Sequence, residues 1–212
     1  MGYKAFASMN IAIIGNGKTT ATLAQGLAIA GHEIFIGIKE DQSIILDFLE
    51  EEFENIHVVT MEQAASYADL VIMATPPEDV REAAYLLDDV RKKVIIDNTF
   101  MSYSGSENYL NTLTAIRAIT GSPFVVRCFN AAGFAPMPQI VQTDNTVNMF
   151  VAGDNQKAKE LAKLIARDMG YSECHDFGGS ESVSLLDEMA ICYYNLSSEE
   201  QRANATVKVS RK

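Results

Sequence analysis

The residues with the clearest chemical potential form a short turn with two glycines. Gly15 and Gly17 stand where an Ile-rich run ends and a helical pattern begins, and Asn16, Lys18 and Thr19 lie between and after them. Glycine lets the backbone approach a ligand with its amide hydrogens free, and the helix that follows adds the positive end of its dipole. Such a turn binds anions. These residues therefore predict a phosphate site, most simply for the pyrophosphate of a nucleotide.

Two nucleotide-binding designs use a turn of this kind. A P-loop needs a glycine five positions before its Gly-Lys pair, and Ala12 occupies that position inside the predicted strand. The dinucleotide fingerprint G-x-G-x-x-G fits better, with Gly15 and Gly17 in place and Thr20 at the position of the third glycine. A small β-branched residue there can widen the helix–strand crossing without removing the phosphate site. The turn thus favours a dinucleotide over a triphosphate.

The surrounding pattern supplies the elements that must position this turn. Apolar strand-like runs cover residues 10–14 and 33–38, and a helical pattern over residues 19–30 joins them. This spacing is that of a βαβ unit, in which two parallel strands flank a helix. The turn then lies at the carboxyl end of the first strand.

The end of the second predicted strand carries the signal for coenzyme choice. An acidic residue at this place accepts hydrogen bonds from the ribose of NAD, whereas a basic residue suits the 2′-phosphate of NADP. The chain has Ile38 and Lys39 there, followed directly by Glu40 and Asp41. Lys39 predicts NADP. The alternatives are that Glu40 or Asp41 turns toward a ribose, or that Lys39 is an ordinary solvated lysine.

Two further predicted strands end in small and polar residues. An apolar run over residues 69–74 stops at two prolines, and another over residues 93–97 ends in polar side chains. Open α/β sheets bind ligands beyond the carboxyl ends of their strands. We therefore expect one rim that joins the glycine turn to the following residues: Ala74, Thr75, Pro76, Asn98 and Thr99.

The remaining pattern extends the same alternation of strands and helices. Strands are expected near residues 57–59, 124–130, 147–153 and 171–175, and helices over 42–53, 61–67, 78–87, 107–119, 155–169 and from 181 to about 201. The predicted fold is α/β, a Rossmann-type, doubly wound and mostly parallel sheet with a C-terminal helix. Residues 1–180 are predicted to form the dinucleotide-binding domain, and 181–212 a C-terminal helix and tail that serves as a dimer or acceptor-site element.

The amino-acid composition limits the kinds of ligand and partner that we expect for this protein. The net charge of −11 over 212 residues argues against nucleic acid, which is bound through neutralised phosphates. Cys128, Cys174 and Cys192 show neither a disulfide framework nor a zinc pattern, and the three histidines have no metal-ligand spacing, so no metal is predicted. Since neither a signal peptide nor a membrane-length apolar run is visible, we expect a cytoplasmic protein with no membrane partner.

The ordered motifs resemble a known family, the NADP oxidoreductases that include the deazaflavin (coenzyme F420) dependent NADP reductases, with ferric-reductase domains and pyrroline-5-carboxylate reductases as more distant relatives. The resemblance runs from about Met9 to Ser197. It rests on seven pieces: Gly15-Asn16-Gly17, Gly37-Ile38-Lys39, Ala74-Thr75-Pro76-Pro77, Asp97-Asn98-Thr99, Phe129-Asn130, Phe150-Val151-Ala152-Gly153-Asp154 and Leu186-Asp187-Glu188-Met189-Ala190.

The resemblance implies a role for each matching position. Asn16, Lys18 and Thr19 would touch the pyrophosphate, and Ile38-Lys39 stands where many relatives have Ser-Arg for the 2′-phosphate. The family pattern also implies a homodimer formed through the closing helix, with the acceptor site nearby. The other implied coenzyme contacts are Gly15, Gly17, Thr20, Ala74, Thr75, Pro76, Asn98, Asn130 and Ala131, with Asn130 and Thr99 as candidates beside the nicotinamide.

The function that this resemblance implies is an NADP(H)-dependent oxidoreductase that transfers a hydride to or from a deazaflavin or flavin-like acceptor. Transfer between two rings needs position more than acid–base chemistry, so no catalytic side chain is assigned. One alternative is a reductase of a small imine, keto compound or ferric complex. A carbonyl or imine acceptor needs a proton donor, for which Thr99, Tyr103 and Asn130, acting through water, are candidates. The other alternative is a redox sensor that binds NADP(H) without turnover.

Overall fold

A single eight-stranded sheet organises the chain. The computed structural model describes residues 7–39, 44–99, 111–129, 148–196 and 209. The strands are β1 (Asn10–Ile14), β2 (Glu33–Ile38), β3 (Ile56–Thr60), β4 (Leu70–Met73), β5 (Val94–Asp97), β6 (Val125–Cys128), β7 (Asn148–Ala152) and β8 (Glu173–Asp176). The helices within these residues are α1 (Lys18–Ala30), α2 (Ile44–Glu52), α3 (Met61–Tyr67), α4 (Val80–Leu86), α5 (Thr112–Thr120), α6 (Gln156–Asp168) and α7 (Val183–Leu196).

The strand order is β3-β2-β1-β4-β5-β6-β7-β8. All neighbouring strands run parallel except β6 and β7, which pair antiparallel. The first six strands follow the doubly wound order, in which the chain reverses direction across the sheet between β1 and β4. This confirms the predicted fold class. A ligand crevice is expected at that reversal, beyond the carboxyl ends of β1 and β4.

Alternation along the strands explains why helices cover both faces. In β1, Ile11 and Ile13 belong to the apolar core that includes residues of α1, α2 and α6. Ala12 and Ile14 belong to the opposite core, with residues of α3, α4, α5 and α7. Because successive side chains point to opposite faces, a strand buried on both sides becomes a continuous apolar run. The Ile-rich pattern of β1 reflects this burial.

Two helix boundaries differ from those expected. The helix predicted from Glu107 begins instead at Thr112, because the side chain of Asn111 caps it by accepting a hydrogen bond from the Thr114 amide at 3.3 Å. The closing helix starts later than residue 181, since Ser180–Ser182 form a short 3-10 turn before it. No helix in the described part of the chain combines the length and apolarity that crossing a bilayer requires.

Candidate functional site

Gly15 brings the ends of three strands together. Its φ is +145°, and a Cβ there would stand 2.6 Å from the Ala74 carbonyl oxygen and 2.8 Å from the Thr20 hydroxyl oxygen. Its amide donates to the Gly37 carbonyl at 3.0 Å, which ties β1 to β2. A side chain would therefore be excluded twice, by the backbone angle and by its neighbours. The glycine turn predicted from sequence is a close approach of β1 to the segment after β4.

Thr20 fits at the third fingerprint position because Gly15 has no side chain. Its side chain is fully buried and its hydroxyl lies against Gly15. The hydroxyls of Thr20 and Thr75 are both buried, and neither has a hydrogen-bond partner among the described residues. Buried polar atoms without partners are rare in folded proteins. They mark a place where a ligand or water can supply the missing hydrogen bond.

The first turn of α1 is open toward the crevice. Gly17 is the N-cap and no side chain caps the turn, so its free amides have no partner of that kind among the described residues. A Cβ on Gly17 would meet nothing within 4 Å. The turn contains no acidic residue and begins with Lys18, a cation at the positive end of the helix dipole. These features fit a bound diphosphate, which would accept from the amides and neutralise the lysine.

Backbone hydrogen bonds join the neighbouring strand ends into one edge, the rim of the crevice. The Ala74 amide donates to the Ile14 carbonyl at 2.8 Å, and the Asn98 amide donates to the Met73 carbonyl at 3.0 Å. Phe129, directly after β6, has a φ of +67°, a strained angle for a bulky residue that the surrounding packing must maintain. Strain of this kind often accompanies functional sites. Phe129 lies at the carboxyl end of β6, on the same edge of the sheet as Gly15.

The structure places most of the predicted site residues on this edge. Asn16, Gly17, Lys18, Lys39 and Pro76 are exposed; Thr19, Ile38 and Ala74 are half-buried; Gly15, Thr20, Thr75, Asn98 and Thr99 are buried. The predictions for Asn130, Ala131, Tyr103, Glu40 and Asp41 fall outside the described residues.

Lys39 has a partner that the sequence pattern did not indicate. Its Nζ lies 2.6 Å from Oε2 of Glu82, in the first turn of α4. The two side chains are 44% and 65% exposed. Lys39 is therefore accessible to a ligand, and its charge is shared with a carboxylate.

A buried charge network, also missed from sequence, lies behind the rim. Arg127 in β6 and Asp97 in β5 are both fully buried, and Arg127 Nη1 is 2.9 Å from Asp97 Oδ1. Arg127 Nη2 is 3.0 Å from Oδ2 of Asp187 in α7 and donates to the Thr112 hydroxyl at 3.1 Å. The network joins two strands to α5 and α7 at the carboxyl edge of the sheet.

This network fixes the orientation of Thr99. Its hydroxyl donates to Asp97 Oδ1 at 2.5 Å, and its carbonyl accepts from Arg127 Nη1 at 2.6 Å. The hydroxyl of Thr99 is thus committed to a carboxylate inside the protein. A charged residue within an apolar strand must find a partner. The sequence signals that could have indicated this network were therefore Asp97, directly after Ile-Ile, and Arg127, directly after Val-Val.

Two cysteines lie in the last strands of the sheet, Cys128 at the end of β6 and Cys174 in β8. Burial raises the pKa of Cys128 well above its ordinary value, and a hydrogen bond with Cys174 adds to the shift. Cys128 is therefore a neutral thiol within the core. A cavity of about 240 Å³ lies beside Cys174, lined by Lys163 and Arg167 of α6, by residues of β8, and by Tyr171 in the segment between them. In the described ranges, no three His, Cys, Asp or Glu side chains converge as a metal site requires.

Comparison with known proteins bears on both fold and coenzyme. Residues 10–100 match the model of a family described as NADP oxidoreductase, coenzyme F420-dependent. No curated protein matches the chain. Among solved structures, a protein from Arthrobacter sp. FB24 assigned as an F420-dependent NADP reductase is similar, with a TM-score of 0.78 and 22% identity over 96% of this chain and all of that one (100%).

Larger enzymes share the fold over part of their length. A pyrroline-5-carboxylate reductase from Coxiella burnetii has a TM-score of 0.64 and 18% identity, over 90% of this chain and 67% of that chain. A reductive aminase from Aspergillus terreus was solved with NADPH4, cyclohexanone and allyl amine. It has a TM-score of 0.63 and 15% identity, over 90% of this chain and 62% of that chain.

These matches confirm two predictions. The likeness to solved structures confirms the Rossmann-type fold. The match of residues 10–100 confirms the resemblance and, with it, the class of enzyme, an NADP-dependent oxidoreductase. The acceptor is a separate question.

Proposed function

We propose that this chain binds NADP(H) beyond β1 and β4 and exchanges a hydride with a deazaflavin or flavin-like acceptor. The match of residues 10–100 to the model of the coenzyme F420-dependent NADP oxidoreductases supports this proposal. The observation that carries the proposal is the open first turn of α1. Its amides have no capping side chain, Gly17 faces free space, and Lys18 is a cation at the positive end of the helix. An anion in that space would accept hydrogen bonds from the amides and compensate the charge of Lys18.

The remaining residues would divide the dinucleotide among them. Asn16, Lys18 and Thr19 would hold the diphosphate, and Lys39 the 2′-phosphate. Thr20 and Thr75 have buried hydroxyls that a bound ligand or its water could satisfy. The positions proposed to line the rest of the crevice are Gly15, Ile38, Ala74, Pro76, Asn98, Asn130 and Ala131.

The protein's own contribution to the reaction is position and the exclusion of water. NADP(H) supplies the hydride when bound. Holding two rings in reacting geometry can account for up to roughly 7–11 kcal/mol of the barrier, so acid–base catalysis is not required. The Thr99 hydroxyl donates to Asp97 and is not free to protonate a substrate. That engagement supports a ring acceptor over a carbonyl or imine.

Reduction of an imine is the second candidate. The fold likeness to a reductive aminase solved with its amine and ketone partners favours it. With Thr99 engaged, the proton would come from Tyr103 or from a water molecule held by Asn130. Binding without turnover, as in a redox sensor, is the third.

Replacing Gly17 by alanine tests the coenzyme site. The added methyl meets no atom within 4 Å and φ at Gly17 is −91°, so the variant should fold normally. It would occupy the space through which a diphosphate approaches, and we expect calorimetric affinity for NADPH to fall by about tenfold, roughly 1.4 kcal/mol. Unchanged affinity in a variant that melts like the wild type would contradict a diphosphate at this turn.

Acceptor identity is tested by NADPH oxidation with deazaflavin, flavin, ferric and cyclic imine compounds. Turnover with deazaflavin or flavin supports the proposal. Turnover with an imine alone selects the second candidate. Saturable binding of NADPH with no turnover by any acceptor selects the sensor.

A further inference from the structure

An ion pair crosses the mouth of the proposed coenzyme crevice. Lys39 follows β2 directly, and Glu82 lies in the first turn of the helix that follows β4, with 2.6 Å between Nζ and Oε2. β2 and β4 flank β1 in the sheet, so their ends are about 10 Å apart, twice the strand spacing. The pair therefore bridges the two strand ends in front of the Gly15 turn.

This position is where dinucleotide sites read the adenosine ribose. An acid at the end of β2 accepts from the ribose hydroxyls of NAD, and a base there binds the 2′-phosphate of NADP. This chain presents both groups together, the base from β2 and the acid from α4. With side chains 44% and 65% exposed, the pair contributes little to stability and is easily exchanged for a ligand.

We infer that Glu82 determines coenzyme specificity: its carboxylate competes with the 2′-phosphate for Lys39 and accepts a hydrogen bond from the ribose 2′-hydroxyl of NAD(H). The inference rests on the proposed function. If Glu82 acts in this way, the protein uses both coenzymes, and its preference for NADP(H) is weaker than it would be with Lys39 alone.

Charge explains why Glu82 acts oppositely on the two coenzymes. A 2′-phosphate bound to Lys39 comes close to the Glu82 carboxylate, and like charges a few ångströms apart repel appreciably even near the surface. A ribose hydroxyl is neutral and can donate to the same carboxylate. Removing this one negative charge should favour NADP and leave NAD unchanged or weaker.

The test is calorimetric titration of the wild type, Glu82→Gln and Glu62→Gln with NADP⁺ and NAD⁺ at one ionic strength. Glu62 is the matched control because it is also an exposed acid in a helix first turn that follows a strand at this edge. We expect the ratio of NADP⁺ to NAD⁺ affinity to rise about tenfold in Glu82→Gln, as expected for the loss of one nearby like charge. The ratio should stay within about twofold of the wild type in Glu62→Gln.

A background variant isolates the role of Lys39. In Lys39→Met the ratio of NADP⁺ to NAD⁺ affinity should fall. Adding Glu82→Gln to Lys39→Met should raise this ratio by a smaller factor than Glu82→Gln raises it in the wild type, because the two side chains act as a pair. If the wild type binds a coenzyme but Glu82→Gln leaves the ratio unchanged, or shifts it no more than Glu62→Gln does, the inference is wrong and the proposed function stands. If the wild type binds neither coenzyme, the proposed function itself fails.

Discussion

Lys18 lies at the helix terminus where the coenzyme diphosphate is proposed to bind. It opens α1, where the helix dipole disfavours a cation, and no acidic side chain accompanies it in the first turn. The amides around it also lack a capping side chain. A helix selected for stability alone would begin with Ser, Thr, Asp or Asn, as α3 does with Thr60 and α6 with Asn155.

We predict that Lys18→Glu stabilises the ligand-free protein and abolishes coenzyme binding. The reversed charge suits the dipole and should raise the free energy of unfolding by on the order of 0.5 kcal/mol. It would also repel a diphosphate. Thermal unfolding with and without NADPH measures both effects.

Lys157→Glu is the control, because Lys157 is likewise an exposed lysine in the first turn of a helix, α6. It should give a similar gain in stability and keep the response to NADPH. Full NADPH binding by Lys18→Glu would show that the diphosphate lies elsewhere.

At the scale of elements, Arg127 links four of them. It contacts Asp97 in β5 and Asp187 in α7, donates to Thr112 in α5, and itself belongs to β6. Removing one partner of a buried pair leaves an uncompensated charge, which costs far more than the pair contributes.

We predict that Arg127→Met lowers the free energy of unfolding by about 3–5 kcal/mol, since it strands the Asp97 carboxylate in the core. Adding Asp97→Asn should recover part of the loss, because an uncharged amide keeps its contacts with Thr99 and Thr112. Urea unfolding of both variants measures this. A double variant less stable than Arg127→Met would mean that Asp97 is stabilised by its other partners.

His32 joins the end of α1 to the end of α6. Its Nδ1 accepts from the Met9 amide at 3.3 Å, and its Nε2 lies 3.3 Å from Asp168 Oδ2. Burial lowers the pKa of His32 below the ordinary 6.5, although Asp168 partly opposes the shift. The folded protein therefore keeps this imidazole neutral.

The sign of the pH dependence follows from that shift. Above about pH 6.5 His32 is neutral in both states and its contribution is complete. As the pH falls, the unfolded chain takes up the proton first, so stability is lost on acidification through the lowered pKa. We predict that His32→Gln flattens the free energy of unfolding between pH 7 and 5, measured by urea titration. An equally steep curve in the variant would assign the slope to other groups.

Helices and strands could be predicted from sequence where burial determines which residue types a segment contains. The apolar run of β1 and the two glycines after it identify a strand, a turn and a helix because few other sequences satisfy those constraints. Ion pairs between distant elements have no such pattern in the sequence. Glu82 resembles any exposed acid of a helix, and only the fold brings it to Lys39. Arg127 and Asp187 are likewise 60 residues apart in sequence.

At the scale of the whole molecule, α7 leaves an apolar side chain uncovered. Leu185 is 57% exposed, while Met189, one turn later, is half-buried against the core. We propose that this face contributes to the homodimer implied by the family resemblance. Burial of a leucine contributes roughly 1.5–3 kcal/mol, enough to affect self-association.

We therefore predict that Leu185→Glu weakens self-association by about tenfold or more. Sedimentation over a range of protein concentrations measures it, with Leu164→Glu on α6 as the control for another exposed leucine (41%). A wild type that sediments as a monomer throughout the range would exclude the dimer.

The reversal of β7 has a practical outcome for experiments. Because β7 runs against β6, its first residue, Asn148, lies on the side where the parallel strands finish. The Val209 amide donates to Asn148 Oδ1 at 2.7 Å, so the chain comes back to that side near its last residues. A fluorophore attached close to Val209 should thus respond to ligands that bind at this side of the sheet.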